Sequence, residues 1–184
     1  VAVLINFMIK RNSSFFLSLL FALALMTACN SENAKESIKK SKIPPTQEEL
    51  LKLNKRLMNE ERTRIEHFLK RNRWPVQATG TGLRYWVYAT TEGDSIKERD
   101  VVKVRYNILL LTGDTCYKRW DKPEQFIVDF DQVESGLHEG IKYIKKGEMA
   151  RLILPPHLAH GLIGDMNKIP INATLIYDLQ VIDE

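Results

Sequence analysis

Residues able to do covalent or acid–base chemistry are scattered along this chain rather than grouped. There is no G-x-S-x-G nucleophile elbow and no phosphate-cradling glycine loop. Asp94, Asp100, Asp114 and Asp121 each stand beside Gly, Lys or Arg, the setting of solvated turn-formers rather than of a catalytic carboxylate pair. His157-Leu158-Ala159-His160 has the spacing of two metal ligands, but nothing nearby supplies a third and His138 lies on another element. Two polar loop residues are the plainer account, and neither a metal nor another cofactor is expected. Cys116 has no base in its sequence neighbourhood to make it a nucleophile. What stands out instead is an apolar and aromatic set of strands followed by two proline loops, Pro155–Gly161 and Lys168-Ile169-Pro170.

The elements that carry these residues are legible from periodicity. Thr46-Gln47-Glu48-Glu49 is a capping-box pattern that opens a helix. Leu50, Leu53, Leu57, Ile65, Phe68 and Leu69 recur on one face, with a break near Glu61, and Trp74-Pro75 ends the helix. Glu48/Lys52, Glu60/Arg64 and Glu66/Lys70 are spaced as acid-before-base pairs. Such a helix, residues 46–74, must lie on the following domain or pair with a second copy as a homodimer. From Val76 the period becomes two. Leu83, Tyr85 and Val87, then Val102 to Leu110, then Leu175 to Val181 alternate apolar with polar, as strands with one face on a core do. Phe126–Val128 and Met149–Leu154 add two shorter strands, and a single short helix, Val133 to Lys146, presents Leu137, Ile141 and Ile144 before Gly147. Strands that do not alternate with helices exclude a doubly wound sheet. The expected class is α+β: a five-stranded antiparallel sheet wrapped on one short helix, preceded by a long N-terminal helix.

Several stretches in this order resemble the FKBP-type peptidyl-prolyl isomerases. They are Asp100–Tyr106, Leu111-Thr112-Gly113-Asp114, Val133–Leu137, Gly147-Glu148, Leu154–Gly161 and Ile169–Tyr177. Thr81-Gly82-Leu83-Arg84-Tyr85 is similar to the first strand of that family's helix-bearing bacterial branch. The resemblance spans roughly residues 79–183, and together with the N-terminal features described below it extends to the gliding-motility-associated isomerase lipoproteins of Bacteroidetes. It implies an FKBP-like domain over 76–184 and a rotamase activity on prolyl peptide bonds. That chemistry needs no nucleophile. Rotation about the bond is opposed by a barrier of about 18–20 kcal/mol because amide resonance must be broken. A dry apolar hollow favours the twisted, less polar amide, and a backbone N–H can orient it.

Carried over position by position, the resemblance implies a site of Tyr106, Phe126, Val133, Glu134, Leu137, His160, Ile169 and Tyr177. Glu134 takes the place of an aliphatic residue whose main-chain N–H faces substrate. Leu137 replaces a tryptophan floor, His160 a hydrogen-bonding tyrosine, Cys116-Tyr117 a Phe-Asp pair and Glu124 a rim aromatic. These departures imply a shallower or wider hole, one polar anchor fewer, weakened catalysis and altered ligand preference. The competing reading is a non-catalytic FKBP-like chaperone or assembly subunit of a surface or gliding apparatus. A metal carrier through His157 and His160 is a third.

The first 28 residues read as a lipoprotein signal peptide. Lys10-Arg11 follow Met8, and an apolar run from Phe15 to Met26 is too short to span a bilayer, which takes about 20 residues. It ends Met26-Thr27-Ala28-Cys29, similar to a lipobox, so that Cys29 would carry palmitate and other acyl chains as the membrane anchor. Plain secretory cleavage after Ala28 is the alternative. Residues 29–45, lysine-rich and closed by Pro44-Pro45, read as a polar tether. The domain would then face the periplasm or the cell surface and act on proline-containing exported polypeptides. Cys116 would have no partner in the chain once Cys29 is acylated. The 184-residue sequence is 44% hydrophobic and 27% charged, so collagenous and wholly disordered readings fail. Its net charge of +4 drops to +2 without Lys10 and Arg11, too little and too dispersed for nucleic acid.

Overall fold

In the computed structural model, residues 46–183 are described; the signal segment, Cys29 and the tether 29–45 lie outside the described residues. The chain separates into two compact units at Leu53/Asn54. Of the first, the described part is the opening of helix α1 (Gln47–Asn72). The expected capping box is formed there. The Thr46 N–H donates to Glu49 Oε2 at 2.8 Å, and the Glu49 N–H donates to Thr46 Oγ1 at 3.3 Å. Those bonds, the backbone one first, hold the Glu49 carboxyl below its ordinary range. Thr46→Ala is expected to cost the helix about 1 kcal/mol, read as faster amide exchange over residues 47–53. Glu48 and Lys52 pair at 2.8 Å, but both are solvated and the pair adds little.

The second unit is built on one antiparallel sheet. Its strands are β1 (Gln77–Ala78), β2 (Arg84–Ala89), β3 (Val101–Leu110), β4 (Thr115–Lys118), β5 (Glu124–Ile127), β6 (Met149–Leu154) and β7 (Leu175–Ile182). Their order is β1-β2-β6-β7-β3-β4, with β5 also paired to β3. Seven strands stand where five were expected. The two added, β1 and β4, are of two and four residues, too short to show a period, and exist only because β2 and β3 offer them an edge. β4 and β5 divide that edge of β3 between them, β5 opposite Val101–Val104 and β4 opposite Asn107–Leu109.

The alternating residues all turn one way. Leu83, Val102, Val104, Ile108, Leu175, Tyr177, Leu179 and Val181 are buried in a core closed by Leu137, Ile141 and Ile144. The helix that carries Leu137 and Ile141, α2, is shorter than the expected Val133–Lys146 and runs Ser135–Ile141. Beyond Ile141 the amides of Tyr143 and Ile144 fall back to the carbonyls three residues earlier. The Lys146 N–H donates to the Asp94 carbonyl and Lys145 N–H to the Glu148 carboxylate, so tertiary partners take the groups a longer helix would have used.

The opposite sheet face is not solvated. Ile153 and Ile176 pack there with Ile65 and Phe68 of α1, joined by Leu69 and Trp74. This covering helix explains the break at Glu61. Its carboxylate is buried, accepting from the Thr174 hydroxyl and from Arg64. Two of the expected i,i+4 pairs are thereby replaced: Arg64 turns to Glu61, and Glu66 accepts from the buried Arg84 at 3.1 Å. On the same face the Arg151 guanidinium lies 4.4 Å from the Trp74 ring centroid, bracing the chain that leaves α1. Among the described residues no helix is long and apolar enough to cross a membrane.

Candidate functional site

A cavity of about 300 Å³ opens where β3, β4, the start of α2, the 160–169 loop and β7 converge. β3 and β7 lie side by side with Ile108 opposite Tyr177, so alternation aims Tyr106, Ile108 and Tyr177 at the same space. The Tyr106 and Tyr177 rings are 5.4 Å apart. Val133, Glu134 and Leu137 come from the amino end of α2, which packs against the sheet through Leu137 and Ile141. Glu134 is the residue before the helix, extended at φ −61° and ψ 137°, so its N–H belongs to the helix end where amides have no intrahelical acceptor.

Seven of the eight residues expected to form the site line this cavity: Tyr106, Val133, Glu134, Leu137, His160, Ile169 and Tyr177. Phe126 does not. β5 sets it opposite Val102, deeper along β3 than the cavity, and its buried ring meets His138 at 5.7 Å. The position two residues earlier, Glu124, opposes Val104 and reaches the rim instead.

The rim is more polar than the residue types suggested. Tyr177 Oη donates to Glu134 Oε1 at 2.7 Å, and His160 Nε2 stands 3.0 Å from the same oxygen. Tyr106 Oη donates to Glu124 Oε2 at 2.5 Å, while Arg119 Nε donates to Glu124 Oε1 at 2.9 Å. Tyr117 Oη donates to Asp165. The expected loss of an acidic anchor is thus reversed, because Glu124 and Asp165 bring carboxylates to the tyrosines from other elements. Sequence reading missed Ile108, Tyr117, Arg119 and Asp165 as lining residues. Ile108 continues the alternation of Tyr106 and could have been found. Asp165 sits in a loop without period, and only its place two residues before Asn167 hints at the Asx turn it makes.

Burial, then the negative charge of Glu134 and the bond to it, pushes the Tyr177 phenol well above its usual range. Burial and the Glu124 bond do the same to Tyr106. Both therefore remain neutral donors at physiological pH. Burial works against ionising Asp165, but the Tyr117 hydroxyl and the amides of Ile169, Asn167 and Lys168 outweigh it and hold the group at about 2. A depressed carboxyl stabilises the fold above its unfolded pKa and ceases to as pH falls through the folded one. The 161–170 loop is expected to keep its protection from amide exchange down to about pH 4 and to lose it toward pH 2. In Asp165→Asn that loss should already be present at pH 7.

The remaining candidates do not assemble. His157 Nε2–H donates to the Thr81 carbonyl at 2.9 Å, away from the Glu134 partner of His160. No group of three potential ligands that could hold a metal occurs among the described residues. The Cys116 thiol is buried; burial raises its pKa, and its Sγ lies 3.5 Å from the Lys168 carbonyl oxygen.

Comparison with known proteins agrees with this geometry. Residues 93–182 match the family model of the FKBP-type peptidyl-prolyl cis-trans isomerases. The isomerase FkpA of Buchnera aphidicola is 38% identical over 111 residues, 59% of this chain and 44% of that protein. FkpA of Escherichia coli K12 is 36% identical over 108 residues, 59% of this chain and 40% of that protein. The chain thus spans less than half the length of these curated relatives. The crystal structure of E. coli FkpA covers 95% of both chains with a TM-score of 0.59 at 24% identity, a likeness of fold. AtFKBP13 covers 59% of this chain and 98% of its own with a TM-score of 0.56 at 22% identity. Over the matched segment and the strands that build its cavity, the chain is similar to the FKBP-type peptidyl-prolyl cis-trans isomerases.

Proposed function

We propose that the protein is a lipid-anchored peptidyl-prolyl cis-trans isomerase of the cell envelope that assists the folding of proline-containing exported polypeptides. The observation that carries the activity is the cavity itself, in which residues from five separate chain segments surround a space of about 300 Å³. A proline would sit against Val133, Leu137, Ile169 and Tyr177. There the planar amide loses water it needs more than the twisted amide does, which lowers the barrier to rotation. The Glu134 N–H would orient the carbonyl next to the bond, and His160 would supply a side-chain contact at the mouth. No proton is transferred and no covalent intermediate forms.

The substitutions at Leu137 and Glu134 support a reduced rate, and the ties from Glu124, Glu134 and Asp165 to the cavity tyrosines favour, as the second reading, a binding or assembly subunit without turnover. The test is acceleration of a prolyl tetrapeptide's isomerisation by the full-length chain in detergent. Rate above background at micromolar protein supports the enzyme; none overturns it. The anchor rests on the Met26–Cys29 lipobox, and with the charged helix 46–74 it favours membership of the gliding-motility-associated lipoproteins. Acylation at Cys29 is read by mass spectrometry, and Cys29→Ser should release the protein from membranes. The exposed turns of α1 leave room for a homodimer, which sedimentation of the full chain decides.

A further inference from the structure

A second cavity, of about 390 Å³, opens between α1 from Asn54 onward and the chain that follows β6, and the function proposed above makes no use of it. Leu57, Met58 and Ile65 form one wall, and Pro155, Pro156 and Leu162 another. The apolar surface does not stop there. Leu162 is 74% exposed and Met58 59%, and farther along the same loop Ile163, Met166 and Ile171 are also largely exposed. Aliphatic side chains gathered bare on one loop mark a surface that a partner covers. The ends of the loop, Gly161, Leu162 and Asn172, line this cavity, while Asp165 and Ile169 in its middle line the first. A small ligand filling the cavity would leave the loop bare, so the occupant that covers both is an extended chain. Charge sets the chemistry of that chain. Glu61 already accepts from the Thr174 hydroxyl and from Arg64. Arg84 donates to Glu66 at 3.1 Å and to the Gly82 carbonyl at 2.9 Å. Of the arginines and acids in the wall, Arg62 alone has no ion-pair or hydrogen-bond partner among the described residues.

We propose that this groove is a second polypeptide-binding site, which takes an extended aliphatic segment bearing an acidic side chain. The carboxylate meets Arg62, which is exposed, so the pair forms without taking a buried ion out of water. Aliphatic neighbours of the acid fill the space between Met58 and Leu162, and their burial carries the affinity. No proline is required, so the site stands whether or not the first cavity turns a substrate over. A longer chain that also carries a proline would engage both cavities, and binding at the groove would raise the effective concentration of that proline at the first.

The test is fluorescence anisotropy of a labelled, end-blocked peptide without proline, Ala-Leu-Leu-Glu-Leu-Phe-Ala, with the full chain at low salt. Two counterparts are compared, one with lysine for the glutamate and one with serine for every leucine and phenylalanine. The glutamate peptide should bind about fivefold more tightly than the lysine peptide, the effect of one solvent-edge ion pair, and the difference should shrink as salt is added. The serine peptide should not bind. Arg62→Glu should reverse the order of the two charged peptides and Arg62→Lys should keep it. Met58→Ser with Leu162→Ser should remove the binding of both, and because all three side chains are exposed these variants leave the core intact. Absence of binding, or an order that Arg62→Glu leaves unmoved, overturns the proposal. Displacement of the peptide by a prolyl tetrapeptide also overturns it, since the peptide then sits in the first cavity. A homodimer seen by sedimentation without peptide and dissolved by Leu162→Ser overturns it as well, because a second copy then fills the groove.

Discussion

Tyr177→Ala is expected to abolish the proposed isomerisation and to destabilise the domain by about 3–5 kcal/mol. The ring is 2% exposed on β7, next to Tyr106, and its hydroxyl donates to Glu134. Removing it opens a void between the cavity and the core and leaves the Glu134 carboxylate without its phenol. Tyr177→Phe separates the two losses. The ring and its packing remain, while the nearly buried carboxylate forfeits one donor, an imbalance of about 1–3 kcal/mol. Urea denaturation should rank wild type above Tyr177→Phe and that above Tyr177→Ala. The peptide assay should follow the same order if ring and hydroxyl both shape the hole.

Gly136→Ala is expected to destabilise the domain although it replaces a helical glycine by the best helix former. In an isolated helix the exchange gains about 1 kcal/mol. Here a Cβ would come to 2.6 Å from Leu154 Cγ and 2.9 Å from the Leu158 carbonyl oxygen. Leu154 is fully buried and the carbonyl is backbone, so the helix itself must lift. Overpacking of this kind costs about 1–3 kcal/mol, which exceeds the propensity gain. Val133, Glu134 and Leu137 ride on the same segment, so activity should fall by about tenfold or more, since such displacement at a site is costly. A melting temperature equal to or above that of the wild type would show that α2 is free to move.

These two positions also separate what local pattern can show from what it cannot. Burial on one face of a strand is written in the chain at period two, so Val102–Leu110 and Leu175–Val181 could be placed, oriented and assigned to a common core before any coordinates. Thr46-Gln47-Glu48-Glu49 could be read as a cap because its two bonds span three residues and depend on nothing distant. The resemblance to a family named a set of residues, seven of which share one cavity. Phe126 was separated from the rest by register alone: it sits opposite Val102 rather than at the level of Glu124.

What local pattern could not carry is every contact whose partner is far along the chain. Glu61 looked like a gap in an apolar stripe, yet it is buried because Thr174, more than a hundred positions later, donates to it. Glu134 counted only for its main chain until Tyr177 and His160 were seen on its carboxylate. Asp165 carried only the hint of an Asx turn, and nothing of its role at the cavity, until the loop brought it to Tyr117. The sequence by itself determined which residues turn inward and where α1 and the long strands begin, because those choices follow from neighbours within a turn or a pleat. Only the tertiary structure decided the charge of the cavity and the length of α2. Polar groups there are satisfied by whichever distant partner the packed sheet brings within about 3 Å, and that choice has no period to read.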